Sequence, residues 1–288
     1  MRTTIWRLIM VIALLGLIVF VARSAQHRAE ESRDNLRAWF FDVGQGDSIL
    51  LDTPDQRQIL IDGGPNSSIL RELSRALPLD DKEIDLVIST HNDSDHLAGL
   101  NEVLKHYKIG KIWLTGAINP TQTFQKFVGL IKEKSISTET VKAGTKVTYG
   151  QLAGIVISPF DDFLGIQPSK QNETSIVTFW QFGSQTILLT ADIDQNQEQE
   201  LLSRNVLRPV DILKVTHHGS RTSSSETFLQ AVKPKIAIIQ VGAKNRYGHP
   251  TSVILDRLKS LSIPILRTDQ NGTVRCDIKL QDFFCATR

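Results

Sequence analysis

Cysteine is almost missing from this chain. The 288 residues contain two, Cys276 and Cys285, both near the C-terminus. They are too few, and too far from every histidine-rich segment, to form the main metal site, and they pair as a disulfide if the chain is exported. An excess of charge is lacking too. The 33 basic and 31 acidic residues leave a formal net charge of +2, so no global basic surface announces a nucleic-acid binder and only a local patch remains open. Long apolar runs are absent except for one, Leu8 to Ala22. With 41% hydrophobic and 22% charged residues, the remainder fits one globular domain, or two small ones, with a sizeable core.

The apolar run organises the N-terminus. Arg2 and Arg7 lie before it, as in a secretory segment. Counted from Ile5, with Arg7 reaching to the interface, it approaches the roughly 20 residues of a membrane span. Ala22-Arg23-Ser24 is a poor cleavage site because Arg23 follows the run directly. The expected division is a signal peptide or membrane anchor over 1–26, a charged stalk over 27–35, and a folded domain over 36–288. That domain is expected outside the cytoplasm, tethered through the N-terminal helix, or secreted if that segment is cleaved.

The densest chemistry lies in Thr90-His91-Asn92-Asp93-Ser94-Asp95-His96-Leu97-Ala98-Gly99. Two imidazoles and two carboxylates stand within six residues. The β-branched run Ile84 to Ser89 predicts a buried strand before them, and Leu97 to His106 predicts a helix after them. The cluster therefore falls on a loop at the carboxyl end of a strand, where open α/β sheets place their ligand sites. Neutral imidazole and carboxylate are ligands for divalent metals. His91 and Asp93 share a parity and suit one cation; Asp95 and His96 suit a second. The plain alternative is a solvated polar loop.

Four later segments add candidates. Asp192 ends the strand Thr186 to Thr190, where it also reads as a helix N-cap. Asn172 precedes a β-branched run and reads equally as a turn residue. His217-His218-Gly219-Ser220 and His249 each follow a strand, and adjacent histidines are expected to point apart. Lys214, Arg221, Lys244 and Arg246 accompany these loops, and with Ser220 they would meet phosphate oxygens. Earlier, Phe40-Phe41-Asp42-Val43-Gly44-Gln45-Gly46-Asp47-Ser48 predicts a tight hairpin, and Gln58 to Ile61 a strand ending in Asp62-Gly63-Gly64. Phe179 to Leu189 echoes the first hairpin, and Asp211 to His217 echoes Asp85 to His91. The echo suggests two β-rich halves packed face to face, with helices outside and a metal cleft between them.

The His-x-Asp-x-Asp-His segment resembles the His-x-His-x-Asp-His signature of the metallo-β-lactamase fold, with Asp93 in place of the second histidine. In that form, and in the opening Phe-Phe-Asp-Val-Gly-Gln-Gly-Asp-Ser, the chain is similar to the hydrolase domain of the ComEC/Rec2 DNA-uptake family. The resemblance implies a four-layer αββα sandwich and one or two divalent ions, Mn²⁺ or Zn²⁺. The ligand set it implies is drawn from His91, Asp93, Asp95, His96, Asn172, Asp192, His217 and His218, with Asp192 bridging two metals. Asn172 stands where a third histidine is usual. Asp95, His218 and His249 are the residues implied in catalysis, with His249 also contacting substrate. The activity implied is a metal-dependent phosphodiesterase or nuclease acting on DNA or another phosphodiester. A hydrolase of a small ester, lactone or β-lactam, and a non-catalytic binding module, are the competing readings.

Overall fold

Strict two-residue alternation along the first strand sets the layering. A computed structural model describes residues 34–78 and 81–287; the targeting segment over 1–26 and nearly all of the 27–35 stalk lie outside them. The first sheet is built by β1 (Leu36–Phe40), β2 (Ile49–Asp52), β3 (Gln58–Ile61), β4 (Glu83–Ile88), β5 (Lys108–Leu114) and β6 (Thr138–Thr140). The second takes β7 (Lys146–Tyr149), β8 (Leu152–Ser158), β9 (Val177–Phe182), β10 (Gln185–Leu189), β11 (Ile212–Lys214), β12 (Ile236–Ile239) and β13 (Ile265–Arg267). The chain then returns to the first sheet, where β14 (Val274–Ile278) pairs antiparallel with β1 and β15 (Phe283–Thr287) pairs with β14. Strand order is β15-β14-β1-β2-β3-β4-β5-β6 in one sheet and β13-β12-β11-β10-β9-β8-β7 in the other.

Phe40, Ile49, Leu51 and Ile61 face inward and share one core with Trp180, Ile187, Leu189, Ile212 and Ile238 of the second sheet. The alternate residues Trp39, Leu50, Leu60 and Val87 face outward. They pack on α1 (Ser68–Ala76), α2 (Ser94–His106) and α3 (Gln122–Glu133) through Leu73, Leu97, Leu100, Leu104 and Phe127. On the far side, α4 (Gln195–Ser203), α5 (Glu226–Val232) and α6 (Ser252–Ser260) cover the second sheet through Leu201, Phe228, Leu229, Ile254 and Leu258. The period of two thus separates a sheet–sheet core from two helix–sheet cores. Burial of this kind, at about 25 cal/mol per Å² of apolar surface, is the main drive for the arrangement.

Three expectations are refined. The helix predicted from Leu97 begins at Ser94, with Asp93 at its N-cap in an extended conformation, so Asp95 and His96 occupy its first turn rather than a loop. Acidic residues suit that end because the helix dipole is positive there. The internal echo survives as topology with a shifted partner. Hairpin β9–β10 is followed by a strand parallel to β10, as β2–β3 is followed by β4 parallel to β3, so it answers β2–β3 rather than the first hairpin. Finally, the halves are not consecutive, because the C-terminal hairpin completes the first sheet.

Close backbone approach fixes α2 against the turn after β3. Gly63 N donates to His96 O at 2.8 Å, and Gly99 N to Gly64 O at 2.8 Å. A Cβ on Gly99 would lie 1.8 Å from Gly63 O, so only glycine allows the contact that seats the start of α2.

Cys276 and Cys285 are direct partners in the β14–β15 register and are joined as a disulfide, with Cα atoms 4.0 Å apart. That is just below the about 4.4–6.8 Å usual for such bonds. A thiol titration of the unreduced, denatured protein is expected to find no free thiol. Cys276→Ser is expected to lower the unfolding free energy by about 2 kcal/mol, the low end for a short closed loop. Two titratable thiols without reductant would contradict the pairing.

Candidate metal centre

The site forms where the parallel strands β4, β10, β11 and β12 end and their loops turn inward. The first loop is organised from beneath by Asp62, which is fully buried. Its carboxylate accepts from Thr90 N at 2.9 Å and Thr90 Oγ1 at 2.7 Å, and lies 2.8 Å from His96 Nδ1. Thr90 spends its hydroxyl proton on Asp62, so it accepts from His91 Nδ1, 3.0 Å away. His218 Nδ1 donates to Gln240 O at 2.9 Å, since a carbonyl only accepts. In all three histidines Nδ1 is thereby occupied and Nε2 is left to face the cleft.

The Nε2 atoms of His96 and His218, joined by that of His217, converge on Asp192. Its Oδ2 lies 3.2 Å from His218 Nε2, 3.3 Å from His96 Nε2 and 3.6 Å from His217 Nε2. Asp95 Oδ2 is 3.7 Å from His218 Nε2, and Asp93 Oδ2 is 3.6 Å from His91 Nε2. Asp95, His96, Asp192 and His218 each offer one ligand atom, all within 4.8 Å of one another. Among the described residues, Nε2 of His91, His96 and His218 and Oδ1 of Asp192 are buried without a hydrogen-bond partner. Buried polar atoms are rarely left so. A divalent cation would satisfy them, and the mixed imidazole–carboxylate set suits one.

The histidine pair after β11 departs from expectation. His217 and His218 both adopt left-handed backbone, with φ of 46° and 53°. Strand parity therefore does not apply, and both imidazoles turn toward the same carboxylate. Left-handed non-glycine residues cost on the order of 1–3 kcal/mol each. The neighbouring turn is tied down by Glu198, a buried carboxylate that accepts from Ser225 N at 2.8 Å, from Thr216 Oγ1 at 3.2 Å and from Ser224 N.

Lys214 is the clearest correction. It was expected at the substrate, but its ammonium is fully buried. It pairs with Asp47, donates to Ala191 O at 2.9 Å and lies 3.5 Å from Asp192 Oδ1. Residue 214 lies inside β11, so its side chain follows the strand into the interior. Ser220 is also removed from the substrate role: it is buried, its hydroxyl 3.2 Å from that of Thr222. Arg221 is exposed, outside the residues that line the cleft.

A cleft of about 380 Å³ opens above the cluster, lined by Asp93, Asp95, Asn172, Asp192, His217, His218 and His249, with Gln45, Ser94 and Tyr247. Asn172 Nδ2 is 3.5 Å from His217 Nδ1. His249 stands at the rim, its ring centroid 5.8 Å from that of His217, and among the described residues it makes no carboxylate pair of the kind His218 makes. Lys244 and Arg246 line an adjoining depression. Asp47, Asp62, Gln240 and Glu198 carry structural parts of the site. In the sequence Asp62 ends the strand from Gln58 and Asp47 stands in the first glycine turn, positions that do not by themselves show these roles.

Electrostatics follow burial. Desolvation, then the neighbouring His96, lowers His91 to about 3, and desolvation with His218 and His217 lowers His249 to about 4. Both are neutral at pH 7. Burial also disfavours charge on Asp192, yet His218, His96 and Lys214 hold it well below the carboxylate range. Asp95 is held low against burial by His218 and His96, whereas burial and Asp95 raise Asp93 to about 6.

Histidines and aspartates converging between two helix-backed sheets define a metallo-hydrolase fold, and the chain belongs to the Metallo-beta-lactamase superfamily, matched over residues 41–243. Among curated relatives, it is 34% identical over 251 residues to ComE operon protein 3 of Bacillus subtilis, covering 81% of this chain and 32% of that protein. It is 29% identical over 271 residues to competence protein ComA of Neisseria gonorrhoeae, covering 90% of this chain and 35% of that one. The chain thus spans about a third of the length of these relatives. The solved metallo-beta-lactamase fold protein YhfI of Bacillus subtilis superposes with a TM-score of 0.56 at 14% identity, over 81% of this chain and 96% of that one.

Metal content after dialysis checks the centre. Asp192→Asn is expected to lose most bound cation while the fold is kept. Asp62→Asn, which weakens the anchor on His96, is expected to lower affinity ten- to a hundredfold. His106→Ala should change nothing, because that residue is exposed on α2, away from the cleft, with its ring 2.8 Å from Glu102 O. Equal metal content in Asp192→Asn and the unmodified chain would remove Asp192 from the ligand set.

Proposed function

We propose that the chain is a divalent-metal-dependent phosphodiesterase acting on nucleic acid. The observation that carries this reading is the set of buried Nε2 atoms of His91, His96 and His218, which lack a hydrogen-bond partner and face Asp192 or Asp93, beneath a cleft whose neighbouring rim holds Lys244 and Arg246. The competence relatives support it at the level of substrate. His91, Asp93, Asp95, His96, Asp192 and His218 would hold one or two cations, with Asn172 and His217 beside them. The carboxylate oxygens favour Mn²⁺, and Zn²⁺ suits the same donors.

A cation bound there supplies a nucleophile from water at neutral pH and neutralises charge on the phosphoryl oxygens. The chain's own groups do the rest. Asp95, half-buried and held ionised, orients the attacking water and accepts its proton. His249, at the rim of the cleft, faces the leaving oxygen. Lys214 keeps Asp192 and Asp47 fixed and takes no part at the substrate. Arg246 and Lys244 meet the flanking phosphates.

A panel of single-stranded DNA, bis-p-nitrophenyl phosphate and nitrocefin, run with Mn²⁺, Zn²⁺ or a chelator, tests the reading. Metal-dependent cleavage of both phosphodiesters, with nitrocefin untouched, is the expected result. Turnover of nitrocefin alone would replace it with the small-substrate hydrolase, and metal binding without any turnover would leave a binding module.

The domain is proposed to lie outside the cytoplasm, tethered by residues 1–26. The apolar run from Leu8 to Ala22 supports this, as does the disulfide, since such bonds persist in oxidising compartments. A phosphatase reporter fused after Arg288 should be active on the external side; activity of a cytoplasm-restricted reporter alone would contradict the tether.

A further inference from the structure

We propose that Tyr247 forms an aryl subsite beside the metal cleft, stacking on one nucleobase next to the scissile phosphate. This inference rests on the phosphodiesterase reading above and deepens it.

Tyr247 is 52% exposed, whereas most large aromatic side chains of the described residues are buried. An exposed ring by itself is ordinary. This one is held in place. Its backbone N donates to Asn245 Oδ1 at 3.1 Å, and the same oxygen accepts from His249 N at 3.0 Å. The Asn245 amide in turn donates to Gly242 O at 2.8 Å and to His249 O at 2.7 Å. One asparagine thus ties the loop to itself from both ends. The ring stacks against His249, with centroids 5.7 Å apart and planes 24° apart. Arg246 Nη2 lies 3.1 Å from its hydroxyl and the guanidinium stands over the ring, 5.2 Å from its centroid, so a base stacking there displaces it toward the neighbouring phosphate. An aromatic plane fixed in this way loses little entropy when a second plane is laid on it.

The space beside it fits a base. A depression of about 410 Å³ lies between Tyr247 and Pro65, and it shares Gln45, Ser94 and Asp95 with the metal cleft. A nucleoside there would be continuous with a phosphate over the metal cluster. Lys244 and Arg246 line the same depression, where the next phosphate along a strand would pass. Aromatic stacking beside cationic side chains is the usual means of holding single strands without reading sequence. A base inside a duplex is already stacked and paired, so the subsite selects single-stranded or frayed ends.

The test uses the full chain with Mn²⁺ and two substrates, thymidylyl-thymidine and the counterpart with abasic deoxyribose on both sides of the phosphate. Cleavage is followed as kcat and KM, and equilibrium binding by calorimetry with Asp192→Asn as the background. The unmodified chain should prefer the base-bearing dinucleotide by about ten- to a hundredfold in kcat/KM, mostly through KM. Tyr247→Phe should keep that preference and Tyr247→Ala should abolish it. A preference retained in Tyr247→Ala, or absent from the unmodified chain, overturns the subsite whether or not the phosphodiester is cleaved. A Tyr247-dependent preference in binding without cleavage keeps the subsite and overturns the phosphodiesterase reading alone.

Discussion

Asp192 must remain a carboxylate in a place without water. It is 3% exposed, and an isolated ion so buried would cost several kcal/mol. Lys214 meets one oxygen and the His96, His217 and His218 imidazoles meet the other. Lys214 is itself buried and compensated by Asp47. The chain therefore carries a chain of charges, Asp47 to Lys214 to Asp192, that ends at open imidazole nitrogens. A divalent cation at that end would add positive charge beside the acidic groups lining the cleft.

Geometry at that point is set one layer further out. Each imidazole is oriented by what its Nδ1 touches: Thr90, Asp62 or the Gln240 carbonyl just after β12. These anchors come from different strands of both sheets. The site is therefore only as well placed as the packing of the sheets on each other, and the glycine contact between the β3 turn and α2 transmits that packing to Asp95 and His96. Glu198 plays the same part for the turn carrying His217 and His218. A mutation in these anchors would disturb the metal centre without removing a ligand.

The rim is built differently. Lys244, Arg246 and Tyr247 are exposed and belong to one self-bonded loop. They add no charge to the buried network. Substrate preference can change there without disturbing the balance around Asp192, a division common where loops carry function on a rigid scaffold.

Local pattern alone carried much of this protein. Alternating apolar residues marked the strands around the site, because a strand buried on one or both faces has no other way to sort its side chains. The density of imidazole and carboxylate after β4, and the histidines after β11 and β12, marked the chemistry without any coordinates. Spacing within a segment could not show what meets it from elsewhere. Asp62 proved to be the anchor of His96 only because the β3 turn is hydrogen-bonded to α2. Lys214 was read as a surface cation, yet Asp47, 167 positions earlier by residue number, draws it inward. The two adjacent histidines face one carboxylate because their backbone is left-handed, which residue order does not announce for a non-glycine pair. Nothing local to Val274–Thr287 says that it completes the first sheet beside β1; that pairing follows from which sheet edge is free once the other strands are in place.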